Sequence, residues 1–421
     1  VNLTLIEIND LALRWQSEDL IHETPAWALI DEPLALGQEA LQQARLQPRK
    51  INNQFWQQLS TDAMPGATQD IRHHADLAFR QLCGIHQQAQ SEAYVFCMPA
   101  HYERPQLSLL LGLAEAASMT VKALVDPGVL LTRLADTAAP LALYLDCSLH
   151  GVSLTAVSNL SQISREKALL VHPKGVLSVV DRLANQAAKK LIQSQRFDPL
   201  HHAATEQQLF SQLFGSLNDH SCLGSKPIQL QYDAIAYDLA LSDNEQRAAT
   251  IDVLPDIVRH IQSETTSTAE LMISHRAAML PGLLDAVSLI PSIKVTTLAS
   301  ETLFKAFDAA GDILASRQDN NQLIYQMPSP ASQSLQNSDA HDDHYRITHI
   351  LYRGVATAVE AYRTDPSAQL TLEQDANGHW NLVPGSTPVA LNQKTLSQRQ
   401  SLSIGDRVTF GDRSFEFIQV R

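Results

Sequence analysis

Between Tyr94 and Val157, apolar runs stopped by proline alternate with stretches of helical spacing. Tyr94-Val95-Phe96-Cys97-Met98-Pro99-Ala100 reads as a short buried strand. From Pro105 to Ser118, residues Leu107, Leu110, Leu111, Leu113 and Ala114 share one helical face. Val121 to Pro127 is a second strand, followed by a helix of small residues. Leu141 to Asp146 then leads through Cys147-Ser148-Leu149-His150-Gly151 into Val152 to Val157. This last piece predicts a hairpin whose turn faces a ligand cleft. The order strand, helix, strand, helix, strand predicts an α/β fold.

The pattern extends in both directions. Leu3 to Ile8 alternates as a strand and Leu11 to Trp15 as another, with Asn9-Asp10 suited to a tight hairpin turn. Pro25 to Asp31 reads as a strand and Leu34 to Ala44 as a turn with a helix; residues 45–75 are polar and Gln-rich, an irregular excursion. Helices are expected over Asp70 to Gln90, Val176 to Gln195, Thr205 to Leu217, Asn244 to Thr265 and Glu301 to Leu314. Arg196-Phe197-Asp198-Pro199 ends the second of these. Strands are expected over Pro227 to Asp233, with Ala234 to Leu241 extending it or pairing back, over Ala269 to His275, which opens a helix at Leu280, and over Ile293 to Leu298.

Past residue 317 the character changes. Gln318 to Asp343 carries Pro328, Pro330 and many Ser, Asn and Gln, the composition of a flexible linker. Beyond it come short strands over Tyr345 to Tyr352, Val355 to Tyr362, Gln369 to Glu373, Trp380 to Val383, Val389 to Leu391, Arg407 to Phe410 and Phe415 to Val420. Gly405-Asp406 and Gly411-Asp412 supply turns, and such spacing predicts a small β-sandwich or barrel. The expected domains are therefore 1–317, the linker 318–343 and a β domain over 344–421.

Composition narrows the function classes. The 421 residues are 44% hydrophobic, enough for a large core, and no apolar run reaches the ~18 residues of a membrane span. No basic stretch followed by an apolar one opens the chain, so no signal peptide is expected. Asp and Glu outnumber Lys and Arg by 45 to 31. That balance argues against nucleic acid as a partner, because such binding needs cations to release counterions. Cys83, Cys97, Cys147 and Cys222 are scattered without a CxxC, which argues against disulfide or zinc scaffolding and for a reducing cytoplasm.

The element order from residue 3 to about 315 resembles the ATPase domain of the Hsp70/actin superfamily. In that family a "VPA" strand and helix precede a "DLGGGT" phosphate hairpin, the places held here by Tyr94 to Ser118 and by Leu145 to Gly151. Pro25 to Asp31 and Leu34 to Ala44 resemble the family's "PS-V-A" strand and "VG-EA" turn. Ser274 to Pro281 falls where the family has its "GGSTRIP" adenosine loop, and Glu301 to Gly311 where it has its closing helix. The resemblance implies an actin/Hsp70-like two-lobed α/β fold. Under it, ATP and Mg²⁺ would be held by Asn9, Asp10, Asp146, Ser148, Gly151, Ser274 and Arg276. VALNQKTLS (389–397) and SLSIGDRVTFGDRSFEFIQV (401–420) resemble the end of a forkhead-associated (FHA) domain, without its "GR" and "S--H" phosphothreonine motifs.

Backbone N–H groups approach phosphates closely only where no Cβ intervenes, which is why such loops use glycine. Here Cys147, Ser148 and Leu149 replace the family's glycines, the first loop is short, and the paired glycines next to adenine are absent. The expectation is a pseudo-ATPase: no catalytic residue, no cofactor, and a scaffold or adaptor that binds proteins through its lobes and β tail. The alternative is an ATP-binding Hsp70-like chaperone with altered phosphate loops. Cys97 and His101 can be drawn as nucleophile and base, but lack a third orienting group. Asp339, His341, Asp342, Asp343 and His344 resemble a metal cluster, although such a run in a polar linker is ordinarily solvated.

Overall fold

The computed structural model describes residues 3–17, 20–135, 137, 139–160, 162–217, 219, 221–265, 268–315 and 323–329 of the first part. Of the tail it describes 347–352, 355–364, 370–374, 380–383, 389–392, 394–396, 398–402, 405–410 and 413–418. The chain is mixed α/β and falls into two compact units, Val1–Leu335 and Gln336–Arg421.

Two six-stranded sheets organise the first unit, beside a small three-stranded sheet of Ala28–Leu29, Ala35–Leu36 and Ile51–Asn52 and a separate two-stranded hairpin. In the first, β1 (Leu3–Glu7), β2 (Ala12–Ser17) and β3 (Leu20–Pro25) make an antiparallel meander. Then α1 (His74–Ala89) leads to β4 (Ala93–Cys97), and α2 (Arg104–Ala116) to β5 (Val121–Val125). Strand β4 lies parallel to β1, and β5 parallel to β4. After α3 (Pro127–Ala135) the wiring repeats. In the second sheet β6 (Leu141–Cys147), β7 (Val152–Asn159) and β8 (Gln162–His172) form the meander. Helices α4 (Val176–Gln195) and α5 (Ala203–Gly215), the hairpin β9–β10 (Ile228–Tyr232, Ile235–Leu239), α6 (Asp243–Ala248) and α7 (Leu254–Glu264) follow. Next, β11 (Ala269–Ile273) pairs parallel with β6, and β12 (Ile293–Thr297) with β11. Helix α8 (Thr302–Ala309) completes the set.

Alternation along the central strands explains how the layers stack. Ile6, Tyr94, Phe96 and Leu124 face a core shared with α1 and α2, while Leu143, Leu145, Leu271 and Ile273 face one shared with α4 and α5. The opposite side chains of both sheets, Leu5, Val95, Val125, Tyr144 and Met272 among them, converge on a third core with Val129 and Leu130 of α3 and Phe304 and Phe307 of α8. Strands buried on both faces read as continuous apolar runs, which is the pattern of Tyr94 to Cys97.

Several expectations change. Residues 323–329, read as linker, instead carry two strands: β13 (Leu323–Ile324) lies parallel to β5, and β14 (Gln326–Pro328) antiparallel to the start of β8. Ile324 and Met327 are buried in the shared core, so this segment joins both sheets. The rest of the expected linker, with the Asp339–His344 cluster, lies outside the described residues. Asn244 to Thr265 is two helices, because Pro255 lacks an N–H and occupies the first turn of α7. The helix expected at Leu280 begins instead at Leu283 (Leu283–Ser288), after a single turn at His275–Ala278. Ala234 to Leu241 pairs back as β10. Strands β3 and β8 had no counterpart in the sequence reading.

In the second unit the described strands are β15 (His349–Tyr352), β16 (Val355–Ala358), β17 (Thr371–Gln374), β18 (Trp380–Val383), β19 (Ala390–Leu391), β20 (Lys394–Thr395), β21 (Gln400–Ser401), β22 (Arg407–Phe410) and β23 (Arg413–Ile418). They form two antiparallel sheets around Ile350, Leu372, Trp380, Leu382, Val408 and Phe417. The expected strand to Tyr362 stops at Ala358, and Val359–Thr364 is a helix. The expected turn Gly411-Asp412 lies outside the described residues.

Candidate functional site

Because the two meanders are wired alike, their first hairpin turns meet across the shared core. The turn 8–11 joins β1 to β2, and the turn 148–151 joins β6 to β7. Asn9 folds its own turn by accepting the Leu11 N–H at 2.9 Å, and its amide donates to Asp146 at 3.2 Å. Asp10, 3% exposed, reaches across to the other turn. Its two carboxylate oxygens accept the backbone N–H of Leu149 at 2.6 Å and of His150 at 3.3 Å. Burial pushes the Asp10 carboxyl up, against the opposing influence of His150 and the Leu149 N–H.

The second turn is closed from its other side as well. The first free N–H groups of α4, those of Val176 and Leu177, donate to the carbonyls of Ser148 and Leu149 at 3.0 and 3.1 Å. Helix and turn touch so closely that a Cβ on Gly175 would lie 2.1 Å from the Ser148 carbonyl oxygen. Ser148 exchanges hydrogen bonds with Gly151 within the turn. The cavity that Asn9, Asp10, Asp146, Ser148 and Gly151 line measures about 30 Å³. That is room for one or two waters, against ~300–1,000 Å³ for sites that hold small organic ligands.

Beneath the turns lies a buried ionic network. Arg276, 4% exposed, donates from Nε and Nη2 to Asp146 at 3.2 and 3.0 Å and from Nη2 to Glu7. Arg14 donates to the other Glu7 oxygen at 3.1 Å and to the Ser300 carbonyl at 2.9 Å, with its guanidinium over the Phe304 ring. Burial alone would raise the Glu7 carboxyl, but Arg276 and Arg14 outweigh it and hold the group at about 2. Arg276 is likewise raised well above the usual arginine range: burial opposes its charge, and Asp146 and Glu7 more than compensate.

Six of the seven residues singled out from the sequence thus come together: Asn9, Asp10, Asp146, Ser148, Gly151 and Arg276. Ser274 does not join them, since its hydroxyl accepts the Ala277 N–H at 3.0 Å and caps a single helical turn. Sequence reasoning missed Glu7 and Arg14, which face each other across the first hairpin. Their signal was present: charged residues inside strands whose other side chains are apolar. Cys97 is buried and its thiol is pushed well up by burial, with Glu7 and Asp126 adding to the effect. A thiol so held is a poor nucleophile. Among the described residues no three side chains of metal-ligating type cluster. No protein-family model matches this chain, and no curated protein matches it in sequence.

Proposed function

We propose that this chain is a non-catalytic scaffold or adaptor of actin/Hsp70-like two-lobed form, with an FHA-like β tail and a cleft that is structural. Supporting the fold reading are the matching wiring of five strands in each of the two sheets and the α3–α8 layer between them. One observation carries the functional reading: the Asp10 carboxylate occupies the backbone N–H groups of Leu149 and His150, the turn that the resemblance makes a phosphate grip. With the α4 N-terminus spent on the same turn, its donors and acceptors are satisfied from within the chain. Partners would then bind the outer surfaces. In the tail, β16 ends its sheet among the described residues, with Val355 65% exposed, an edge suited to strand pairing. The net charge of −14 favours protein partners over nucleic acid. The unpaired cysteines fit a reducing compartment such as the cytoplasm.

Calorimetric titration with Mg-ATP and Mg-ADP tests this reading, together with phosphate release. The expected result is no saturable heat and no turnover. Saturable nucleotide binding, or a hydrolysis rate that disappears in Asp146→Ala, would replace the adaptor with an ATP-binding chaperone-like protein.

A further inference from the structure

Strand β8 is eleven residues long, and β7 covers its inner edge from Ile163 to His172. Among the described residues its outer edge is covered only at its start. Strand β14 pairs with Gln162 to Ser164, and the Arg165 N–H donates to the Tyr325 carbonyl at 2.8 Å. There the added chain turns away to join β5 as β13. Among the described residues no strand pairs with the outer edge from Glu166 to Leu170.

A groove of about 840 Å³ runs beside this uncovered stretch. One wall is Glu166, Lys167, Ala168 and Leu170; the other is the start of α2 with Arg104 and Leu107; Leu323 and Tyr325 also line it. Leu170 is 51% exposed and Tyr325 48% exposed, an apolar strip left open by the packing of the described residues. His101 also lines the groove, and its buried Nε2 has no hydrogen-bond partner.

We propose that the groove binds an extended peptide segment of a partner protein, which continues β14 along the outer edge of β8. The two observations that select a strand rather than a compact ligand are the uncovered backbone edge and its continuity with a strand already added there. Charges specify the segment further. Arg165 is neutralised by buried Asp126 at 3.0 Å and Lys167 by Glu264 at 2.7 Å, and Glu103 stands at the α2 N-terminus, where the helix dipole offsets it. Arg104 and Glu166 form no ion pair among the described residues. The occupant is therefore a strand with apolar side chains for Leu107, Leu170 and Tyr325, an acidic residue for Arg104 and a basic one for Glu166.

This deepens the adaptor reading by naming the class of partner. It is measured without nucleotide, so the nucleotide titration can fail while peptide binding stands, and the reverse. A displayed library of random dodecapeptides is selected on the full chain, and the enriched peptides are synthesised. The expected peptides carry one acid and one base among apolar residues. Their affinity falls at least tenfold in Arg104→Glu and in Leu170→Asp, both at exposed positions. Reversing the peptide's acid restores binding to Arg104→Glu, and bound peptide slows amide exchange at residues 166–170. The proposal is overturned if no peptide is enriched, or if the enriched ones bind both variants as tightly as the wild type. It is equally overturned by a concentration-dependent dimer that Leu170→Asp abolishes, since a second copy would then be the occupant.

Discussion

Replacing Arg276 by alanine tests the ionic network at its centre. The guanidinium is buried and bridges Glu7 on β1 to Asp146 on β6, so its loss leaves two carboxylates facing each other, with Arg14 the remaining ion-pair partner of Glu7 and the Asn9 amide that of Asp146. Removing one partner of a buried pair costs about 3–5 kcal/mol, because the remaining charge has neither water nor counterion. The net shift of the Glu7 carboxyl, which both arginines produce against burial, is of the same order. The drop from the ordinary 4.5 to about 2 corresponds to roughly 3 kcal/mol at 1.36 kcal/mol per pH unit.

The sign follows from proton counts. Folded Glu7 holds fewer protons than unfolded Glu7 between about pH 2 and 4.5. Its contribution is therefore present above pH 4.5 and lost as the pH falls toward 2. In Arg276→Ala, burial is opposed chiefly by Arg14, with His275 a lesser influence, so the Glu7 carboxyl rises and the acid-side loss is blunted. Urea unfolding of wild type and variant from pH 3 to 7 measures both effects. A loss below ~1 kcal/mol at pH 7, or an unchanged slope on the acid side, would refute the account.

Three further outcomes are expected. Gly175→Ala forces a methyl against the Ser148 carbonyl and the Gly151 N–H, and should lose about 1–3 kcal/mol in urea unfolding or fail to fold. Asp10→Asn offers an oxygen to Leu149 but sets an amide against the His150 N–H, for a loss of about 1–3 kcal/mol by the same assay. Met327→Ala empties a site that is 1% exposed in the core shared by both sheets. The cost should be about 2–5 kcal/mol, with faster proteolysis of the first unit; a neutral effect would mean that 323–329 is not a structural strap.

Legibility followed burial. Tyr94 to Cys97 and Val176 to Gln195 were readable because their apolar spacing is dense: both faces of β4 are buried, and one stripe of α4 is. Strand β8 was not readable. Only Ile163, Val171 and His172 of its eleven residues are buried, and the stretch Arg165 to Leu170 has no alternation. It holds its place through pairing with β7, which is non-local information. Residues 323–329 failed for a related reason: Leu323, Ile324 and Met327 are few, sit among polar residues, and become core only because two sheets already stand at the right distance. In the site, the turn residues were found through the resemblance, whereas Glu7 and Arg14 needed the register of β1 and β2 to become a pair.

Under the resemblance, the missing glycines would hinder a backbone from approaching a phosphate at these turns, but they do not say what the turns do instead. The N–H groups of Leu149 and His150 are directed at the first hairpin turn and require an acceptor. Asp10 supplies one from the same chain, already held by β1 and β2, without the ~4–15 kcal/mol of lost translation and rotation that a diffusing ligand must overcome. A free anion would have to expel that carboxylate, leaving it buried without its two donors. It would also find the α4 N-terminus already bonded to the Ser148 and Leu149 carbonyls. Arg276 acts in the same sense one layer down, joining the first strand of one sheet to the first strand of the other. The two halves are thereby clamped by groups the chain carries itself, which is the arrangement the proposed structural cleft requires.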